Sequence, residues 1–78
     1  MSKTITIKTV GYMVEQMPTK KAKFEFVIGD NDSVRDCIAA LGLPMDDYIV
    51  LTDGKFITQD YCPMENETIQ IMYAVTGG

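Results

Sequence analysis

The chain has no histidine and no tryptophan, and two cysteines in 78 residues. Without histidine it lacks the side chain that most often moves protons near neutral pH. Cys37 and Cys62 are too few for a disulfide framework and too far apart for a metal-ligand pair. A tetrahedral zinc site draws four ligands from Cys, His and carboxylates, so no metal is expected. Basic residues are also scarce: 7 against 11 acidic, for a net charge of −4. They cluster only at Lys20, Lys21 and Lys23. Gripping a phosphate backbone takes several cations on one face, so nucleic acid is not an expected partner. An acidic body suits a protein partner with a basic surface. No apolar run approaches the length of a membrane span. The opening "MSKTITIK" alternates polar and apolar without the apolar core of a signal peptide. These absences lead to the expectation of a cytoplasmic protein with no membrane partner. No glycine-rich phosphate loop precedes a helix; Gly29 stands alone.

Hydrophobic residues make up 46% and charged residues 23%, a composition that folds. The length allows one core, and a domain of this size buries only about 60% of the surface of its unfolded chain. Thr4 to Lys8 alternates as a strand with Ile5 and Ile7 inward. Val10, Tyr12 and Val14 alternate in the opposite phase, which predicts a continued strand past a bulge between Thr9 and Gly11. Gln16 to Lys20 reads as a turn, and Lys21 to Ile28 as a second strand with Phe24, Phe26 and Ile28 on one face. The two strands are predicted to form a hairpin.

Ser33 fits a helix N-cap, with Asp36 as a short-armed capping-box partner. Val34, Cys37, Ile38 and Leu41 follow at helical spacing. Gly42 sits where a left-handed residue ends a helix, and Pro44 forbids its continuation. Tyr48 to Thr52 reads as a third strand, and Asp53-Gly54 turns it into a short fourth at Lys55 to Ile57. A polar connection from Gln59 to Glu67 leads to a last strand over Thr68 to Ala74. In that strand Ile69, Ile71 and Tyr73 face one way, and Gln70, Met72 and Ala74 the other. One helix covering the apolar face of a mixed sheet gives a two-layer α+β domain.

Catalytic constellations are missing. Cys37 lies on the apolar stripe of the helix, where a thiol is structural. Cys62 lies before Pro63 among acidic residues, unlike the electropositive setting of a reactive thiol. Asp46-Asp47 reads as a solvated turn, and the lysine group as hairpin solubilisation. The six methionines read mainly as core filler. Met72, on the outer face of the last strand, is a candidate partner contact. Beyond that strand stand Val75, Thr76, Gly77 and Gly78. Four extended residues reach roughly 13 Å. Two glycines present no side chain to a narrow tunnel, and an α-carboxylate on Gly78 is unhindered.

Three stretches carry a resemblance: "SVRDCIAALGL", "IVLTDGKFI" and "ENETIQIMYAVTGG". In register, from Ser33 to Gly78, they resemble the ThiS/MoaD-like sulfur carriers of thiamine and molybdopterin synthesis, relatives of ubiquitin. The resemblance implies a β-grasp fold, a mixed four- to five-stranded sheet packed on one main helix with the first and last strands parallel at its centre. Residues 1–74 would form the domain and 75–78 a flexible Gly-Gly tail. It also implies a carrier rather than an enzyme. A ubiquitin-activating-type adenylyltransferase would use ATP to adenylate Gly78, with no cofactor bound by the chain. A sulfur donor would convert the adenylate to a thiocarboxylate, and a synthase of the thiazole synthase or molybdopterin synthase large subunit type would accept the sulfur. Gly77, Thr76, Val75 and Met72 would meet these partners, and the free protein would be a monomer. The first hairpin is longer than in thiamine-type carriers, and "IMYAVTGG" lacks the Pro-Pro that precedes the tail in molybdopterin-type ones. The carrier role therefore stands ahead of either pathway. A ubiquitin-like modifier conjugated through Gly78 and a non-catalytic β-grasp interaction module are the alternatives.

Overall fold

The computed structural model describes residues 1–11, 13–43 and 48–73, with Tyr73 described by its backbone alone. The strands are β1 (Ser2–Lys8), β2 (Lys23–Gly29), β3 (Tyr48–Thr52), β4 (Lys55–Ile57) and β5 (Thr68–Tyr73). The helices are α1 (Met13–Gln16) and α2 (Val34–Ala40). The strands form one five-stranded sheet in the order β2-β1-β5-β3-β4. β1 and β5 run parallel, pairing Thr6 with Thr68 and Lys8 with Gln70. All other neighbours are antiparallel.

Alternation in the strands decides which face is buried. Ile5, Ile7, Ile28, Val50, Ile69 and Ile71 point to one side and join Val34, Cys37, Ile38 and Leu41 of the α2 region in a single core. This is the two-layer α+β arrangement expected from the pattern, in the β-grasp strand order that the resemblance implies, with one main helix closing one face of the sheet. Phe24 and Phe26 complete that face at the edge strand, their rings 6.4 Å apart and edge to face.

Helix α2 starts and stops as its sequence dictates. Both halves of the capping box form: the Ser33 side chain accepts from the Asp36 amide, and the Asp36 carboxylate accepts from the Ser33 amide at 2.9 Å. The next free amides are met from outside the helix. Val34 N–H donates to the Tyr61 carbonyl at 2.8 Å, and Arg35 N–H to the Gln59 carbonyl at 2.9 Å. The loop between β4 and β5 thus satisfies the helix N-terminus that a short helix leaves open. Gly42 adopts φ +77° just past the last turn, the left-handed position that an L side chain resists. At the β3–β4 hairpin, Asp53 and Gly54 both take positive φ, 52° and 75°, as a two-residue primed turn requires.

The continued strand past a Thr9–Gly11 bulge is not formed. Thr9 still pairs with β2, donating its amide to the Ala22 carbonyl at 2.7 Å. The chain then turns at Gly11 (φ +56°), and Met13–Gln16 makes one helical turn. Burial explains the change. Met13 and Met17 stand four residues apart and are 2% and 0% exposed, whereas Val10 is 48% exposed. Two methionines on one helical face close the end of the core better than alternate valines on an extended strand. The second strand accordingly starts at Lys23 rather than Lys21. Expectations for Tyr12, Pro44, Ala74 and the side chain of Tyr73 lie outside the described residues.

Candidate functional site

The candidate site is the sheet face turned away from α2, around the end of β5. Cross-strand register builds it. Met72 stands opposite Ile49, and Gln70 lies between Leu51 on one side and Lys8 on the other. Leu51 in turn faces Phe56 of β4. Ile49, Leu51, Gln70 and Met72 are half-buried, and Phe56 is 76% exposed. Leucine, isoleucine, methionine and phenylalanine therefore share one outer face, bordered by Gln70 and Lys8. An exposed apolar group with a polar rim is the composition of a protein-docking surface.

The structure places Met72 where the sequence put it, on the outer face of the last strand, and gives it Ile49 as neighbour. Val75, Thr76, Gly77 and Gly78 lie outside the described residues. The sequence reading missed Ile49, Leu51 and Phe56. Their signal was present: Ile49 and Leu51 alternate against inward Val50, and the Asp53-Gly54 turn fixes Phe56 opposite Leu51.

Neither cysteine has the setting of a nucleophile. Cys37 is 1% exposed. Burial, with Asp32 and Asp36 adding to it, pushes its thiol up to about 11, so it stays protonated and inert at neutral pH. Cys62 is exposed, and among the described residues its sulfur has long contacts of 3.9 Å to the carbonyls of Asn31 and Asp60. Among the described residues no cluster of three or more His, Cys, Asp or Glu side chains is placed to hold a metal ion. No helix among them is long and apolar enough to cross a membrane.

A shallow recess of about 370 Å³ lies at the other end of β5, between Thr52, Met64 and Glu67. Its carboxylate is already committed. Glu67 accepts from the Met64 amide at 2.8 Å, the Tyr61 hydroxyl at 2.7 Å and the Thr52 hydroxyl. Burial disfavours the Glu67 anion, but these three donors outweigh it and hold the carboxyl below its ordinary value, with a small contribution from Lys3. The same bond raises the Tyr61 phenol. The group is a structural clasp at the start of β5, remote from Met72.

No protein-family model matches the chain, and no curated protein matches it in sequence. Solved structures do match in fold. Small archaeal modifier protein 1 of Haloferax volcanii superposes with a TM-score of 0.72 at 12% identity, over 94% of this chain and 99% of that one. A Pyrococcus furiosus protein assigned as molybdopterin converting factor subunit 1 gives 0.74 at 12% identity, again over 94% and 99%. The ubiquitin of Caldiarchaeum subterraneum gives 0.64 at 16% identity over the whole of both chains. At these identities the likeness is one of fold alone, and in this chain that fold has its first and last strands parallel at the sheet centre with one main helix across the inner face. The chain has the ubiquitin-like β-grasp fold.

Proposed function

We propose that this protein is a sulfur carrier whose Gly78 carboxylate is activated and converted to a thiocarboxylate. The observation that carries the reading is the placement of β5. It is the central strand, held on both sides by β1 and β3, and it leads in sequence to Gly77-Gly78. A strand paired on both sides, followed in sequence by a short segment ending in two residues without side chains, is suited to delivering a carboxylate into another protein's active site. The outer apolar face beside Met72 gives that protein a surface to hold.

The chemistry needs no catalytic group on this chain. The Gly78 carboxylate attacks the α-phosphate of ATP on an adenylyltransferase of the ubiquitin-activating type, and pyrophosphate leaves. A sulfide-equivalent donor then attacks the acyl carbon, and AMP leaves with the bonding electrons. The product is a C-terminal thiocarboxylate, which passes its sulfur to a synthase of the thiazole or molybdopterin type. ATP is bound by the partner, and the cytoplasm is the compartment that supplies it. The fold likeness to a molybdopterin converting factor subunit supports this reading. The likeness to an archaeal modifier protein supports a second one, in which the same activated Gly78 forms an isopeptide with lysines of target proteins.

Intact-protein mass spectrometry of the chain from its own host, without a C-terminal tag, tests both. Replacement of one oxygen by sulfur, localised to the last peptide, is the expected result. A free carboxylate that persists after incubation with an active adenylyltransferase, ATP and sulfide would overturn it. Conjugates in host extract that carry Gly78 on target lysines would establish the second reading.

A further inference from the structure

Among the described residues no strand pairs with the outer side of edge strand β2, and the register of β2 restricts what could. Two bonds at the ends of the β1–β2 ladder fix its phase: Thr9 N–H to the Ala22 carbonyl at 2.7 Å, and Asp30 N–H to the Met1 carbonyl at 3.3 Å. Both fall in the same register as the pairs between them, such as Ile5 with Phe26. Hydrogen-bonded and non-bonded pairs alternate along an antiparallel ladder. Ala22, Phe24, Phe26 and Ile28 therefore bond to β1, and the backbone groups of Lys23, Glu25 and Val27 point outward from the sheet edge. The outward groups of Gly29 are already used, its amide by the Asp32 carboxylate at 2.8 Å and its carbonyl by the Asp32 amide at 3.1 Å.

The same phase puts Lys8 opposite Lys23 in a non-bonded pair, the kind in which side chains approach closest. Both are exposed, and among the described residues no carboxylate lies within ion-pair distance of either. Like charges directly across a ladder destabilise it. A strand added at the β2 edge with an acidic residue opposite Lys23 would neutralise the pair.

We propose that β2 pairs antiparallel with β2 of a second copy of this chain, Lys23 opposite Glu25 of the second copy and Glu25 opposite its Lys23. Antiparallel self-pairing gives a closed two-fold dimer with an isologous interface. Only outward-pointing residues can exchange hydrogen bonds, which restricts the registers. Moving the axis by one bonded pair sets Lys23 against Lys23 in one direction and Glu25 against Glu25 in the other. The intermediate register sets unlike charges together twice. It also places Val27, 63% exposed, against the alkyl stem of Lys21, and sets the half-buried Phe24 rings across the axis. β1 separates this edge from β5, so the dimer leaves Ile49, Phe56 and Met72 uncovered. The pairing does not depend on activation of Gly78.

Sedimentation velocity of the full chain over a wide concentration series, at low and high salt, tests the proposal. A mass rising from monomer to dimer with concentration, and less readily in high salt, is expected, because exposed ion pairs are screened. Lys23→Glu and Glu25→Lys each set like charges together and should hold the chain as monomer. The double swap should restore the dimer, which also controls for folding. Hydrogen exchange at the amides of Lys23, Glu25 and Val27 should slow as concentration rises. A monomer at every concentration overturns the proposal, and so does a dimer that ignores the charge swaps.

Discussion

The Tyr61 hydroxyl donates to the Glu67 carboxylate at 2.7 Å, while the Tyr61 carbonyl accepts from the first amide of α2 at 2.8 Å. One residue thereby ties the helix N-terminus to the start of the central strand. The helix and β5 are not adjacent in sequence, so this contact sets how the two layers meet.

Glu67 makes the fold sensitive to acid. Its folded value lies below the ordinary 4.5, so its stabilisation is complete above that value and is lost as pH falls through the depressed one. Asp36 acts in the same direction, held down first by the Ser33 amide and then by its hydroxyl. Denaturant midpoints measured from neutral pH downward should fall through this window. In Glu67→Gln the acid-dependent slope should flatten, and the midpoint at neutral pH should correspond to a loss of about 1.5 kcal/mol, the low end for hydrogen bonds to a charged acceptor, because the Gln carbonyl still accepts.

Ser33→Ala removes the acceptor of the Asp36 amide and the hydroxyl's bond to the Asp36 carboxylate, and leaves the backbone amide at position 33 donating to that carboxylate. The cost should be about 1 kcal/mol, read as a lower midpoint at unchanged denaturant slope. Ser33→Asp keeps an acceptor at the N-cap and should recover most of the loss.

The two thiols should separate by reactivity. A neutral alkylating reagent should label the native protein once, at Cys62, because Cys37 is buried and its thiol is pushed up to about 11. In denaturant both should react. Double labelling of the native chain at the same rate would contradict the described core.

Core and outer-face substitutions should divide stability from binding. Ile71→Ala empties a site at 0% exposure and should cost about 2–5 kcal/mol, a large share of the stability of a domain this small. Phe56→Asp changes a residue that is 76% exposed and should leave the midpoint within about 0.5 kcal/mol. If the outer face docks the adenylyltransferase, Phe56→Asp should raise the concentration of carrier needed for half-maximal adenylation. An unchanged value would remove Phe56 from the docking face.

Much of this was legible because local signals and burial agree. Ser33, the Val34-Cys37-Ile38-Leu41 stripe and Gly42 each report the same helix, and Asp53-Gly54 reports its hairpin. The segment after Thr9 was misread because Val10 and Val14 offer strand alternation while Met13 and Met17 offer a helical pair. Both patterns occupy the same residues, and closure of the core decides between them. The outer face was only half visible for another reason. Met72 could be placed from its own strand, but grouping it with Ile49 needs the β3–β5 register, which joins distant segments. The Glu67 clasp is likewise invisible in sequence, since Thr52, Tyr61 and Met64 meet only when the loop closes.

The parallel pairing of Thr6 with Thr68 has a consequence for synthesis. A growing chain can form the β1–β2 hairpin and cap α2 early, because those contacts are local. Between β1 and β3, though, a slot stays open until the last strand leaves the ribosome. Contacts so far apart in the chain also form slowly. The middle of this sheet is therefore the final part to be built, and it is built by the strand that leads to Gly77-Gly78. Chains cut short before β5 would lack the centre of the fold, with β1 and β3 left unpaired along the edges that β5 joins.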